Sequence, residues 1–223
     1  EYLGNMGIYL FRRQVLFDLL RERPLATDIV TELCVPCLGS HRVQAHLFAG
    51  YWEDLGTVKS YHAASLALAS DDPPFDFHSP EGIIFTHMRN LPAARIAAAR
   101  LDHCLVSDGC VVQAGARLER CVIGVRTRVG RDVVLRDTVI CGADRFETDG
   151  EREANARRGV TDLGVGDGSV IERAILDKDC RIGRGVRIVN ARHVGEDEGD
   201  NYAIRDGIVV IPKAAVVPDG TVI

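Results

Sequence analysis

No run of 18 consecutive apolar residues occurs in this 223-residue chain, so no membrane-spanning helix is expected. A basic excess is missing too. The formal net charge is −5, which argues against a surface for nucleic acid or anionic lipid. The opening residues, EYLGNMGIYLF, lack the basic region and small-residue cleavage site of a signal peptide. They read as a β-strand entered in mid-domain, with the expectation that the chain is part of a longer polypeptide. The seven cysteines are odd in number and scattered, as expected of a reducing, cytoplasmic setting. Cys34-Val-Pro-Cys37 has no second pair and no nearby His cluster. A zinc or redox role there competes with chance spacing of two partly buried thiols.

What is present is a period. Val106, Val112 and Leu118 are six residues apart, Ile123, Val129 and Leu135 repeat the step, and Ile140 follows. Beyond a polar gap come Val165, Ile171, Leu176, Ile182 and Ile188, and near the end Ile211, Val217 and Ile223. A short fixed repeat of this kind marks a parallel β-helix, whose coils of three short strands bury their apolar faces only by stacking. Helical heptads and period-two strands do not fit the spacing. Cys104-Leu105-Val106 aligns on Cys121-Val122-Ile123 and then on Thr138-Val139-Ile140, with Ala174-Ile175-Leu176 in the same slot after an insertion. Cys104 and Cys121 are therefore expected in one inward stack. Gly109, Gly115, Gly130, Gly183 and Gly185 are expected near corners, where positive φ costs glycine least.

The length allows one large or two small domains. Residues 1–70 look like the end of an α/β domain. A strand is expected over Met6–Phe11, a helix over Gln14–Arg21, an alternating strand over Arg42–Phe48, and a helix capped by Thr57 running to Leu68. Residues 71–98 form a linker, with the Pro- and Asp-rich stretch DDPPFDFHSPEG at its start. Residues 99–223 form the β-helix. It is interrupted by a charged, helix-like insertion over 143–163 and by an acidic break over 190–205, read as a solvated loop.

Candidate chemistry lies in the first part. In Gly50-Tyr51-Trp52-Glu53-Asp54-Leu55-Gly56-Thr57 the carboxylate of Asp54 sits in a Gly-bounded loop directly before a helix N-terminus. Carboxylate, aromatic and helix end together suit a metal-bound phosphate. The same sequence is also an ordinary helix-start turn.

The order of the MGIY segment, the YWEDLGT loop, the linker, a hexapeptide β-helix with one charged insertion, and the tail IRDGIVVIPKAAVVPDGTVI resembles ADP-glucose pyrophosphorylase (glucose-1-phosphate adenylyltransferase). The likeness extends over essentially the whole chain and includes IIFTHMRNLPAARI, CGADRFET and ILDKDCRIGRGVRI. It implies an α/β remnant of a nucleotidyltransferase (Rossmann-like) domain followed by a left-handed parallel β-helix.

It also implies roles. Asp54 matches the family's metal-binding aspartate, with Mg²⁺ as the cofactor, and Trp52 and Tyr9 match residues that meet the glucose. Asn5 stands where the family usually has a serine on the sugar phosphate. Pro24 to Asp28 replaces an Asp-Phe-Gly sequence, of which Asp28 alone remains. Lys178 and Lys213 match two lysines that hold a sugar-phosphate type effector, and Arg89 matches an effector-linked arginine, whereas His87 replaces a second. The implied partners are ATP and glucose 1-phosphate, in a homotetramer that binds neither nucleic acid nor membrane. The family's glycine-rich phosphate loop and Glu-Lys-Pro segment do not occur in these residues, so no activity is expected of residues 1–223 alone.

Rival readings are a nucleotidyltransferase for another sugar, a regulatory subunit without catalysis, and a hexapeptide acyltransferase. The last needs a catalytic His beside its coils, and this half of the chain has His103 and His193, with none in the insertion. A carbonic anhydrase of the β-helix type needs three His on zinc, which two cannot supply.

Overall fold

Apolar residues three and four apart turn Arg13–Glu22 into helix α1, which buries Leu19. The computed structural model describes residues 4–78, 80 and 82–223; Glu1–Leu3, the first residues of the opening segment, lie outside them. Contacts divide the chain into two units, Glu1–Asp54 and Leu55–Ile223. In the first, Asp28 caps a π-helical turn, Ile29–Cys34, that runs into the single turn α2 (Val35–Cys37). Leu19, Leu33 and Cys37 form its small core, with Phe11, Val15 and Ala26 packed against it.

The expected strands over Met6–Phe11 and Arg42–Phe48 do not form. Both segments run without regular structure, and Ile8, Leu10 and Leu47 are exposed. A strand exists only when a neighbour takes up its N–H and C=O groups, and no described residue of this unit supplies that ladder.

The second unit opens with α3 (Val58–Ala67). Thr57 caps it in a capping box with Ser60, as the sequence predicts. Thereafter come β1 (Arg95–Ile96), β2 (Arg100–Val106), β3 (Val111–Val112), β4 (Arg117–Ile123), β5 (Arg128–Val129) and β6 (Val134–Ile140). The insertion holds α4 (Asp149–Arg158), again with a capping box, between Thr148 and Glu151. The coils resume with β7 (Gly164–Val165), β8 (Val170–Leu176), β9 (Arg181–Ile182) and β10 (Arg187–Ile188). After β11 (Asp197–Gly199) and β12 (Tyr202–Arg205), β13 (Ile208–Ile211) and β14 (Val216–Val217) complete the stack.

These strands make a left-handed parallel β-helix with three faces. One face is the six-strand series β1-β3-β5-β7-β9-β14. The seven-residue strands β2, β4, β6 and β8 each cover the other two faces, bending at His103, Arg120, Asp137 and Arg173, all with positive φ. The fork at β8 shows this, because its first half pairs β10 and its second half pairs β13.

The hexad residues point inward. Leu118, Ile123, Val129, Leu135, Ile171, Ile182, Ile188 and Ile211 are all at most 1% exposed. Cys104 and Cys121 do share one stack, in register with Thr138, Ala174 and Val209. Of the glycines expected at corners, Gly109, Gly115 and Gly185 have positive φ, but Gly130 and Gly183 do not. Those two are needed for space, since a Cβ on either would collide with Asp167 or Asp219.

The acidic break over 190–205 is more ordered than a solvated loop. The β11–β12 hairpin pairs antiparallel and joins the sheet through β13. Three of its four acids have partners here: Arg205 reaches Glu196 and Glu198, and Arg192 pairs with Asp197.

Outside the coils, α3 lies against one face. Val58 and Leu66 pack on Val122, Val139 and Ile175, which point outward from β4, β6 and β8. That apolar outer patch explains why a helix, and not water, covers it.

Candidate functional site

Within the second unit, a single corner of the coils gathers cations. At this corner Ala143 N donates to the Val125 carbonyl, Asp179 N to Gly142, and Ala214 N to Lys178, so 142–143, 178–179 and 213–214 are successive rungs. Lys178 and Lys213, which the resemblance assigns to one effector, thus stand on adjacent rungs of this corner. Gly142 makes the turn possible, with φ of 99° and no room for a Cβ beside the Val125 backbone.

The 143–163 insertion leaves the coil here, and its first residues fold onto the lysines. Asp144 accepts from Lys178 Nζ at 2.5 Å and from Lys213 Nζ at 3.2 Å. The two ammonium groups, Lys178 first, pull the Asp144 carboxyl down to about 2. The reciprocal bond holds Lys213 above its usual range. Nearby, the Arg126 guanidinium donates to the Ala143 carbonyl (3.1 Å) and lies over the Phe146 ring (5.8 Å). Beneath the corner is a cavity of about 20 Å³ lined by Thr127, Gly142, Asp177 and Cys180 among others, room for about one water. Arg89 is elsewhere engaged, donating to the His87 carbonyl at 3.4 Å in an exposed segment.

Within the first unit, the segments around Asn5 and Trp52 also meet. Asn5 Nδ2 donates to the Tyr9 hydroxyl at 2.5 Å, and Asn5 Oδ1 accepts from the Gly7 N–H at 2.9 Å. The Trp52 ring passes Gly4 so closely that a Cβ there would touch it at 4.0 Å. Asn5 and Tyr9 are therefore bonded to each other, and Trp52 lies beside Gly4, the residue before Asn5. Asp28 serves the fold as well, because its Oδ1 accepts from both the N–H and the hydroxyl of Thr31. Those bonds, the backbone one first, lower its pKa. Asp54 is exposed. No group of three His, Cys, Asp or Glu among the described residues is placed to hold a metal by itself. Cys34 and Cys37 stay in the helical turn, with Cys37 buried and its thiol donating to the Leu33 carbonyl. Burial raises the Cys34 thiol's pKa, which disfavours the thiolate that metal or redox chemistry needs.

Residues 89–222, well over half of the chain, match the family model described as GLGC left-handed parallel beta-helix domain. The chain belongs to that family. Ahead of the GLGC-type β-helix, residues 1–71 match the model described as Nucleotidyl transferase. In this GLGC-family chain the residue that sequence reasoning missed is Asp144. CGADRFET was visible as a family-like string, and its position at the start of a corner insertion was visible too. That its carboxylate would land on two lysines 34 and 69 residues away was not.

Proposed function

We propose that this chain serves a glucose-1-phosphate adenylyltransferase, which makes ADP-glucose and pyrophosphate from ATP and glucose 1-phosphate. One observation carries the reading: a nucleotidyltransferase segment over 1–71 is followed directly by a GLGC-type β-helix over 89–222. The Asn5–Tyr9 bond, with Trp52 beside Gly4, supports it, since an aromatic ring near hydrogen-bonding groups suits a sugar. In this reading Trp52 stacks on the glucose, Tyr9 and Asn5 bond the sugar and its phosphate, and Asp28 offers its second carboxylate oxygen.

Asp54 fits Mg²⁺ of the phosphate-bound kind, which takes one or two carboxylates and completes its shell with phosphates and water. Held there, Mg²⁺ would supply neutralisation of the phosphate charge that builds while the sugar phosphate displaces pyrophosphate from the α-phosphorus of ATP. Thr57, three residues after Asp54 in the chain, caps the helix that follows. The glycine-rich nucleotide loop that this chemistry needs is not in these residues, so residues 1–223 alone are inactive in this reading.

The β-helix is a regulatory and assembly platform in the same reading. Lys178 and Lys213 bind a sugar-phosphate type effector, Arg89 assists, and the full protein is a cytoplasmic homotetramer. Among the described residues no helix is long and apolar enough to cross a membrane.

The test is an assay of the polypeptide that also carries a glycine-rich nucleotide loop. Pyrophosphate release should require ATP, glucose 1-phosphate and Mg²⁺ and should fall by orders of magnitude in Asp54→Ala. Preference for another nucleotide or sugar phosphate would overturn the substrate assignment.

A further inference from the structure

Two ammonium groups on adjacent rungs of one corner repel each other, and the fold places a carboxylate between them. Asp144 gives Oδ1 to Lys178 and Oδ2 to Lys213. One anion is thus shared by two cations, the same arrangement that a bound phosphate or carboxylate ligand would adopt. The side chain is not simply dragged there by its backbone. The Asp144 N–H is fixed independently, donating to Asp179 Oδ1 at 2.8 Å, and the Gly142 carbonyl accepts from the Asp179 N–H at 3.0 Å. Backbone anchoring leaves the carboxylate free to swing while its root stays put. All three charged side chains are about half exposed, so a ligand can reach them from solvent.

We propose that Asp144 is an internal counter-ion, and that an anionic ligand of the phosphate-monoester class binds Lys178 and Lys213 by displacing it. The proposal rests on the reading of these lysines as an effector site and adds how that site is regulated. Binding then becomes an exchange. The ligand replaces two existing ion pairs, so its apparent affinity is the intrinsic one reduced by the fraction of sites that Asp144 leaves open.

The residues around Asp144 are held by contacts of their own. Asp144 is the first residue of the insertion beyond the corner, and Phe146, two residues on, lies against Arg126 of the preceding rung. Arg145 between them pairs with Glu151 at 2.8 Å, in the first turn of α4. Displacement of the Asp144 carboxylate therefore leaves these contacts, and the rung-to-rung hydrogen bonds of the coil beneath, in place.

Inorganic phosphate is the probe, measured by calorimetry on the whole chain. The forms compared are the unsubstituted protein, Asp144→Asn, Asp144→Ser, Lys178→Ala with Lys213→Ala, and Asp144→Asn with both lysine changes. Asparagine keeps the size of the side chain and every backbone bond of residue 144. Serine guards against an amide that still occupies the lysines. Thermal unfolding verifies that each form is folded. Both Asp144 variants should bind phosphate roughly two- to thirtyfold more tightly, the range expected from removing two exposed ion pairs. Loss of the lysines should abolish binding in either background. Lysine-dependent binding that neither Asp144 variant tightens overturns the counter-ion and leaves the effector site standing. If no form shows lysine-dependent binding, both readings fall together.

Discussion

His62 of α3 places its Nε2 2.7 Å from the carbonyl oxygen of Asp137, a corner residue 75 positions later. A carbonyl only accepts, so Nε2 carries the proton. Asp137 is also held by Arg120 of the neighbouring rung at 2.6 and 2.8 Å. The helix that begins immediately after the Trp52–Asp54 loop is thereby pinned to the coils by one buried polar bond and one apolar patch.

His62→Ala removes a buried donor and leaves the Asp137 carbonyl without that bond. The expected loss is about 1–3 kcal/mol of stability, read from urea unfolding. His62→Gln, able to donate from a similar position, should recover part of it. Equal loss in both variants would indicate that packing, and not the bond, matters.

The Asp144 carboxyl should titrate at about 2, well below the ordinary value of 3.8, when followed by carboxyl-carbon NMR. Its folded pKa is depressed, so its contribution to stability is fully present above 3.8 and disappears as pH falls through about 2. Lys178→Ala with Lys213→Ala should return the midpoint toward 3.8. An unmoved midpoint would mean that the ion pairs do not form in solution. His103 shows the opposite sign. Asp71 at 3.1 Å and Asp102 at 2.8 Å raise its pKa, Asp71 more, so its contribution is full below 6.5 and fades as pH rises through the folded value. Asp71→Asn should lower the His103 midpoint in a proton NMR titration.

Leu135 is fully buried in the coil stack. Leu135→Ala should cost about 2–5 kcal/mol, seen as a lower unfolding midpoint. Leu10→Ala, at a fully exposed side chain, should change stability by less than about 0.5 kcal/mol. A large effect at Leu10 would show that this side chain is covered in solution.

Cys104 should be the thiol that iodoacetamide modifies first at neutral pH. A hydrogen bond from Cys121 is the main cause of its lowered pKa, whereas burial raises the thiols of Cys110, Cys141 and Cys180. Cys121→Ala should slow the modification of Cys104. Mass mapping that finds another cysteine labelled first would refute the assignment.

The β-helix was legible because its cause is local and repeated. Each coil of about 17 residues must bury one aliphatic per strand, so the spacing of Val112, Leu118, Ile123, Val129 and Leu135 reports the architecture directly. The helix start at Thr57 was legible because capping is a contact three residues long, whereas the charged insertion was read only as helix-like and its Thr148 cap came from the structure. The strands over Met6–Phe11 and Arg42–Phe48 were misread for the converse reason. Their apolar patterns state a preference, but a strand is completed by partners that a pattern cannot provide.

The candidate site divides along the same line. Asn5, Tyr9, Trp52, Asp54, Lys178 and Lys213 were nameable from strings of residues, and so was the order of a nucleotidyltransferase segment and a hexad ladder. Sequence by itself determined the ladder and the Thr57 cap, because those depend on neighbours within about 17 residues, and the resemblance supplied the candidate site residues. Tertiary structure alone decided that Lys178 and Lys213 share a corner, that Asp144 stands between them, and that His62 grips Asp137. Each of those depends on where side chains of stacked rungs, of the insertion and of a distant helix meet, which no short period records.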